Sequence, residues 1–150
     1  MKTSVVIHES TRVWVGTASR EHVQIGLEGG FAQFCHGKSG PAKRPRRGDI
    51  VLYYSGQERF GEKSPCQRFT ALGVIQDDEP NQVEQFPGFL PWRRSVEWLQ
   101  QTEAPIKPLV DQLTFIANKT AWGAPFRFGF LEIPQDDLRL LAREMGVSLA

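Results

Sequence analysis

The sequence predicts an α+β domain built on a small curled sheet or barrel. Two observations carry this. About six short strand-like segments and three helical ones succeed one another without regular alternation, which argues against a doubly wound parallel sheet. The stretches between strands are also too short and irregular to be a run of βαβ crossovers. The chain has 150 residues, 40% of them hydrophobic and 23% charged, enough to build a core without disulfide staples. We read 1–150 as a single domain, with 1–10 as a short N-terminal extension.

The elements follow in order. RVWVGTAS, residues 12–19, is rich in Val and Trp and predicts a strand. Ser19 can cap a short helix after it, with Glu21 in the first turn and Gly29-Gly30 as the stop. FAQFCH, residues 31–36, predicts a second strand, followed by a basic loop over 37–47. Gly48-Asp49 turns the chain into IVLYYS, residues 50–55, a β-branched and aromatic strand. QERFGEKSPCQ reads as a polar connection, and RFTALGVIQD as a strand in which Gly73 marks a bulge.

Within PGFLPWRRSVEWL the alternation puts Trp92, Arg94, Val96 and Trp98 on one strand face and Arg93, Ser95 and Glu97 on the other. Pro108 opens a short helix over 108–116. FRFGFLEI, residues 126–133, alternates as a strand. The last element, 135–145, is an amphipathic helix with Leu138, Leu141, Ala142 and Met145 on its apolar face and Gly146 as its end.

Composition narrows the function classes. Eighteen Lys and Arg against seventeen Asp and Glu leave a net charge of +1, which excludes a uniformly basic binder but allows a local basic patch. The two cysteines, Cys35 and Cys66, are too far apart for a CxxC motif and too few for a disulfide framework. The N-terminal apolar run is only Val5-Val6-Ile7, and no stretch approaches a membrane span. A reducing cytoplasm is the expected location.

FCHGKSGPAKRPRRGD, residues 34–49, concentrates the chemistry. A strand over 31–36 would send Cys35 and His36 to opposite faces, so the two would not form a nucleophile–base pair. Two Cys and three His without ligand-like spacing do not make a metal site. GKSG lacks the upstream glycine of a P-loop, because Ala32 stands at that position. No catalytic residue, metal or cofactor is expected. What remains is a cationic segment: Lys38, Lys43, Arg44, Arg46 and Arg47, with Arg93 and Arg94 beside Trp92. It is either a merely solvated loop or a track for phosphates. Phe31, Phe34, His36, Tyr53, Tyr54 and Trp92 could supply flat faces for a base, and on the residues alone both readings stand.

Several blocks carry a resemblance. WVGTASREHVQIGLEGGFAQFCHGK, RRGDIVLYYS, PGFLPWRR and APIKPLVDQLTFIANKTAWGAPFRFGFLEIPQDDLRLLAREMGV together resemble the EVE-domain family from about Arg12 to Val147. The resemblance implies a PUA-like fold, a small twisted barrel of five to six strands with flanking short helices, related to PUA, ASCH and YTH domains. It implies a non-catalytic nucleic-acid module that recognises a modified base, either a modified cytosine in DNA or a modified RNA base. The alternative is a binder of, or an enzyme acting on, a free modified nucleobase, nucleoside or other small ligand. No partner domain is fused, so an effector is expected to be a separate protein.

The pocket the resemblance implies is lined by Trp14, Thr17, Ser19, His22, Phe31, Gln33, Phe34, His36, Gly37, Lys38, Tyr53, Tyr54, Ser55, Pro91, Trp92, Arg93, Arg127 and Phe128. The phosphate contacts are Lys38, Lys43, Arg44, Arg46, Arg47 and Arg94. Ser19, Gln33 and Ser55 would read the base edge. Trp122 and Phe115 would hold the C-terminal helix to the barrel.

Overall fold

The computed structural model describes residues 4–150. In chain order the strands are β1 (Ser4–Val5), β2 (Val13–Thr17), β3 (Phe31–Ala32), β4 (Ile50–Gln57), β5 (Pro65–Ile75), β6 (Asn81–Gln82), β7 (Trp92–Trp98), β8 (Ala104–Pro105), β9 (Phe130–Ile133) and β10 (Ser148–Leu149). The helices are α1 (Arg20–Gly29), α2 (Ser39–Lys43) and α3 (Gln135–Glu144), with 3-10 turns at Cys35–Gly37, Lys107–Gln112 and Ala124–Phe128.

Eight strands form one curled mixed sheet, a half-barrel with the path β3-β7-β5-β4-β2-β9; β6 adds to β7 and β8 to β5. The pair β2–β4 is parallel, and the other pairs along this path are antiparallel. β1 pairs in parallel with β10, so part of the stretch ahead of Arg12 is docked rather than trailing.

The centre of the sheet is buried on both faces, and period-2 alternation divides the residues between two cores. Val13, Val15, Ile50, Leu52 and Tyr54 enter one core, which α3 covers with Leu138, Leu141, Ala142 and Met145. Trp14, Val51 and Tyr53 enter the other, which α1 covers with Val23 and Leu27. The pairing of β4 with β5 slips between Tyr53 and Tyr54, leaving Thr70 as the extra residue. This bulge lets Phe69 and Leu72, three residues apart, share one core. Gly73 was expected at the bulge and is not. It sits opposite Trp98, where a β-carbon would lie 2.6 Å from the Glu97 carbonyl oxygen, so its role is close strand approach.

α1 starts and stops as the sequence predicts: Ser19 accepts from the His22 amide, and Gly30 closes the helix in the left-handed region. Three local expectations need correction. The strand predicted over 31–36 ends at Ala32. The helix predicted over 108–116 is a 3-10 turn. The strand predicted over 126–133 begins only at Phe130, because Ala124–Phe128 is a 3-10 turn closed by Gly129 at φ +77°. Phe115 and Trp122 do pack against the core that α3 covers. Asp137 of α3 fixes the 114–115 backbone by accepting from both amides.

Candidate functional site

The short turn Cys35–Gly37 is the most unusual piece of backbone. Cys35, His36 and Gly37 all have positive φ, at 49°, 61° and 83°. Two successive non-glycine residues in the left-handed region cost of order 1–3 kcal/mol each, and such strain concentrates at functional sites. The surroundings hold the turn in place. Tyr53 reaches across from β4 and donates its hydroxyl to the Gln33 carbonyl at 2.7 Å while accepting from the Gln33 amide at 2.9 Å. Burial pushes the Tyr53 hydroxyl pKa well up, so it stays a donor. Gly37 presses on Pro91, where a β-carbon would overlap the proline. This corrects the reading of Cys35-His36: what separates them from a catalytic pair is a left-handed turn rather than strand alternation. The Cys35 thiol points to the Phe128 carbonyl at 3.8 Å.

Around this turn the chain gathers the end of β2, the first turn of α1, the β4–β5 hairpin tip, the start of β7 and the 3-10 turn before β9. Thr17 is tied to the turn before β9: its amide donates to the Gly129 carbonyl and its hydroxyl to the Phe126 carbonyl. His22 is half-buried. Burial lowers its pKa below 6.5, and the nearby His36 and Arg93 push it the same way. Phe31 is half-buried under the Arg93 guanidinium, 3.8 Å from the ring centre. Arg93 also donates to Gln33 Oε1 and Gln85 Oε1, and burial lowers its pKa. His36 is exposed and meets Phe60 edge-on, with ring centres 5.7 Å apart. Phe60 and Phe128 are 79% and 80% exposed. Trp92 is half-buried and Lys38 exposed.

Four aromatics expected in the pocket are interior instead. Trp14, Phe34, Tyr53 and Tyr54 expose at most 4% and offer no face to a base. Trp14 stacks on Phe130 at 5.2 Å and donates Nε1 to Asp49; Phe34 packs on Phe130 at 4.6 Å; Tyr54 stacks on Phe126 at 3.9 Å. Two polar readers are also committed elsewhere. Ser55 is fully buried and paired with Thr70 at 2.9 Å, and Gln33 is buried with its side-chain oxygen bound to Arg93. The Ser19 hydroxyl is used as the α1 cap.

The basic segment splits by role. Lys43 sits on α2, and Lys38, Lys43 and Arg46 are exposed and make no ion pair among the described residues. Arg44 lies over the Trp14 ring at 4.9 Å. Arg47 pairs with Asp78 at 2.9 Å, which holds the Asp78 carboxyl below its usual range. Arg94 was expected to touch phosphate and cannot. It is wholly buried, binds Asp77 at 2.7 Å, and donates to the carbonyls of Ala42, Pro45 and Asp77. Arg127 is exposed beside Phe128.

A groove of about 640 Å³ lies next to this region, lined by Arg20, Glu21, Gln24, Glu58, Arg59, Glu62 and Ser64. Its walls are ion pairs, Arg20–Glu58 at 3.3 Å and Arg59–Glu21 at 3.3 Å. Burial pushes the Cys66 thiol up to about 11, and the nearby Glu58 carboxylate acts in the same direction, so it is not an activated nucleophile. Among the described residues no group of three or more His, Cys, Asp or Glu is placed to hold a metal ion, and no helix is long and apolar enough to cross a membrane.

Residues 12–144 match the family model described as EVE domain. A "UPF0310 protein" of Mycobacterium avium is 44% identical over 132 residues, covering 88% of this chain and 96% of that protein. Among solved structures, protein Atu2648 of Agrobacterium tumefaciens is similar with a TM-score of 0.57 and 10% identity, over 92% of this chain and 95% of that one. The YTH domain of the Zygosaccharomyces rouxii MRB1 protein, solved in complex with N6-methyladenosine RNA, has a TM-score of 0.57 and 15% identity, over 96% of this chain and 91% of that one.

Proposed function

The chain belongs to the EVE-domain family, and from that premise we propose that it is a non-catalytic module that binds nucleic acid and takes one modified base against the turn Cys35–Gly37. The observation that carries this reading is that turn itself. A strained left-handed stretch presents an exposed His36 and runs straight into Lys38, Lys43 and Arg46, three cations that make no ion pair among the described residues. A YTH domain of the same fold holds N6-methyladenosine RNA, which lends support from the fold alone.

The base leaves its stack and rests against His36 and half-buried Trp92, with the half-buried His22 behind them. Unstacking costs a few kcal/mol, least for a base already single-stranded. Stacking on aromatic faces returns about 1–3 kcal/mol per base. The two nearly offset, so net affinity comes from the phosphate contacts of Lys38, Lys43 and Arg46. A methyl group adds only about 0.8 kcal/mol by burial, so strong preference for a modification requires shape and base-edge contacts as well. His22 and His36 are the polar side chains at hand for those contacts.

The test is titration with oligonucleotides carrying a modified cytosine, a methylated adenine or neither, at two salt concentrations. The reading expects preference for one modified base and an affinity that falls with salt. Equal affinity for all, or no salt dependence, overturns it.

A further inference from the structure

Large apolar side chains left four-fifths exposed ask for an explanation when they flank a site. Phe60 and Phe128 are the two most exposed large hydrophobic residues among those described, and both border the same turn. Phe60, at the tip of the β4–β5 hairpin, touches the His36 ring from one side. Phe128, just ahead of β9, has its carbonyl against the Cys35 thiol. Neither ring is needed by the fold, since both cores close without them. Each follows an arginine in sequence: Arg59-Phe60 and Arg127-Phe128. Arg127 is exposed, and Arg59 makes only a solvent-exposed pair with Glu21, the kind a phosphate can displace. A flat apolar face next to an exposed cation is the composition of a single-strand stacking platform.

We propose that Phe60 and Phe128 stack the two nucleotides flanking the recognised base, so that the ligand is a single-stranded or looped-out segment of at least three nucleotides rather than a free base or nucleoside. The proposal rests on the base-recognition reading above and extends its footprint. The geometry explains why the platforms sit where they do. With Phe60 edge-on to His36, a base on the open Phe60 face lies beside the His36 ring, as a chain neighbour of a base held there would. Arg59 and Arg127 then meet the two phosphates that join the flanking nucleotides to the central one.

The experiment measures affinity for a nucleoside, a trinucleotide and a pentanucleotide with the preferred base at the centre, for wild type, Phe60→Ala, Phe128→Ala and the double variant. Both rings are exposed, so the variants keep the fold, and thermal melting verifies this. The expected result is a wild-type gain of at least tenfold from nucleoside to trinucleotide. Each substitution removes about tenfold of trinucleotide affinity. Nucleoside affinity stays unchanged. In parallel, 2-aminopurine placed next to the central base is quenched on binding wild type and regains fluorescence with the variant lacking its platform. Unchanged trinucleotide affinity in the double variant overturns the proposal and leaves the two rings to a protein partner. A parallel loss of nucleoside affinity also overturns it, because the rings would then hold the recognised base itself. Selectivity for the modification is read separately in wild type. Its absence sinks the base-recognition reading, while the length series still decides on the platforms.

Discussion

Replacing His36 by glycine and, separately, by alanine tests the strained turn through a sign. At an ordinary position glycine is less stable than alanine by about 0.5–1 kcal/mol, because it loses more backbone freedom on folding. His36 has φ 61°, where a β-carbon costs about 1–2 kcal/mol and glycine pays nothing of that. The histidine ring and its contact with Phe60 are lost in both variants, so they cancel in the comparison. Subtracting the entropy term from the strain term leaves the glycine variant more stable than the alanine variant by about 1 kcal/mol. For a domain of this size that is about 2–4 °C in Tm. Urea unfolding of the two proteins, with m-values compared to confirm a common denatured state, gives the number. Both variants also lose the base contact, so oligonucleotide affinity falls in each while stability moves apart. An alanine variant as stable as the glycine one, or more so, refutes the assignment of strain to this turn.

Further outcomes can be measured on the same protein. Arg94→Ala leaves Asp77 and three carbonyls without their donor in the interior, so it destabilises by about 3–5 kcal/mol in chemical denaturation. Lys43→Ala or Arg46→Ala leaves stability unchanged and reduces the slope of log affinity against log salt by about 1; no change in slope would remove that residue from the phosphate contacts. Tyr53→Phe strips the Gln33 amide and carbonyl of a buried partner, costing about 1–3 kcal/mol for each group left unsatisfied and weakening ligand binding as the turn loosens. His22 is held neutral by burial, so the unfolded chain takes up its proton first as pH drops. Stability therefore falls as pH decreases from about 6.5 to the lowered value, and His22→Gln flattens that part of the pH–stability curve.

What the sequence discloses and what it hides follow a physical line. The α1 boundaries, the central strands and the apolar face of α3 are local signals, and they stand where caps and periodicity put them. The 31–36 stretch has the composition of a strand, but its course after Ala32 is decided by Tyr53, twenty residues away, and by Pro91 against Gly37. No local pattern carries that. The burial of Arg94 does carry a local signal, because it shares a strand face with Trp92, Val96 and Trp98. Phe60 carries no such signal, because a single aromatic in a polar connection reads as loop. Of the aromatics in the family blocks, Trp14, Phe34, Tyr53 and Tyr54 lie buried in the two cores instead of facing outward.

The buried hold of Arg94 on the carbonyls of Ala42 and Pro45 has a further consequence for how a polyanion would be met. A cationic tail must surrender its conformational freedom at the moment of binding, and that loss comes out of the affinity. Here the backbone carrying Lys43 and Arg46 is already fixed before any ligand arrives, so only side-chain rotamers remain to be ordered. Such a template gains in discrimination what a flexible tail gains in reach: it favours phosphates at one spacing and penalises others.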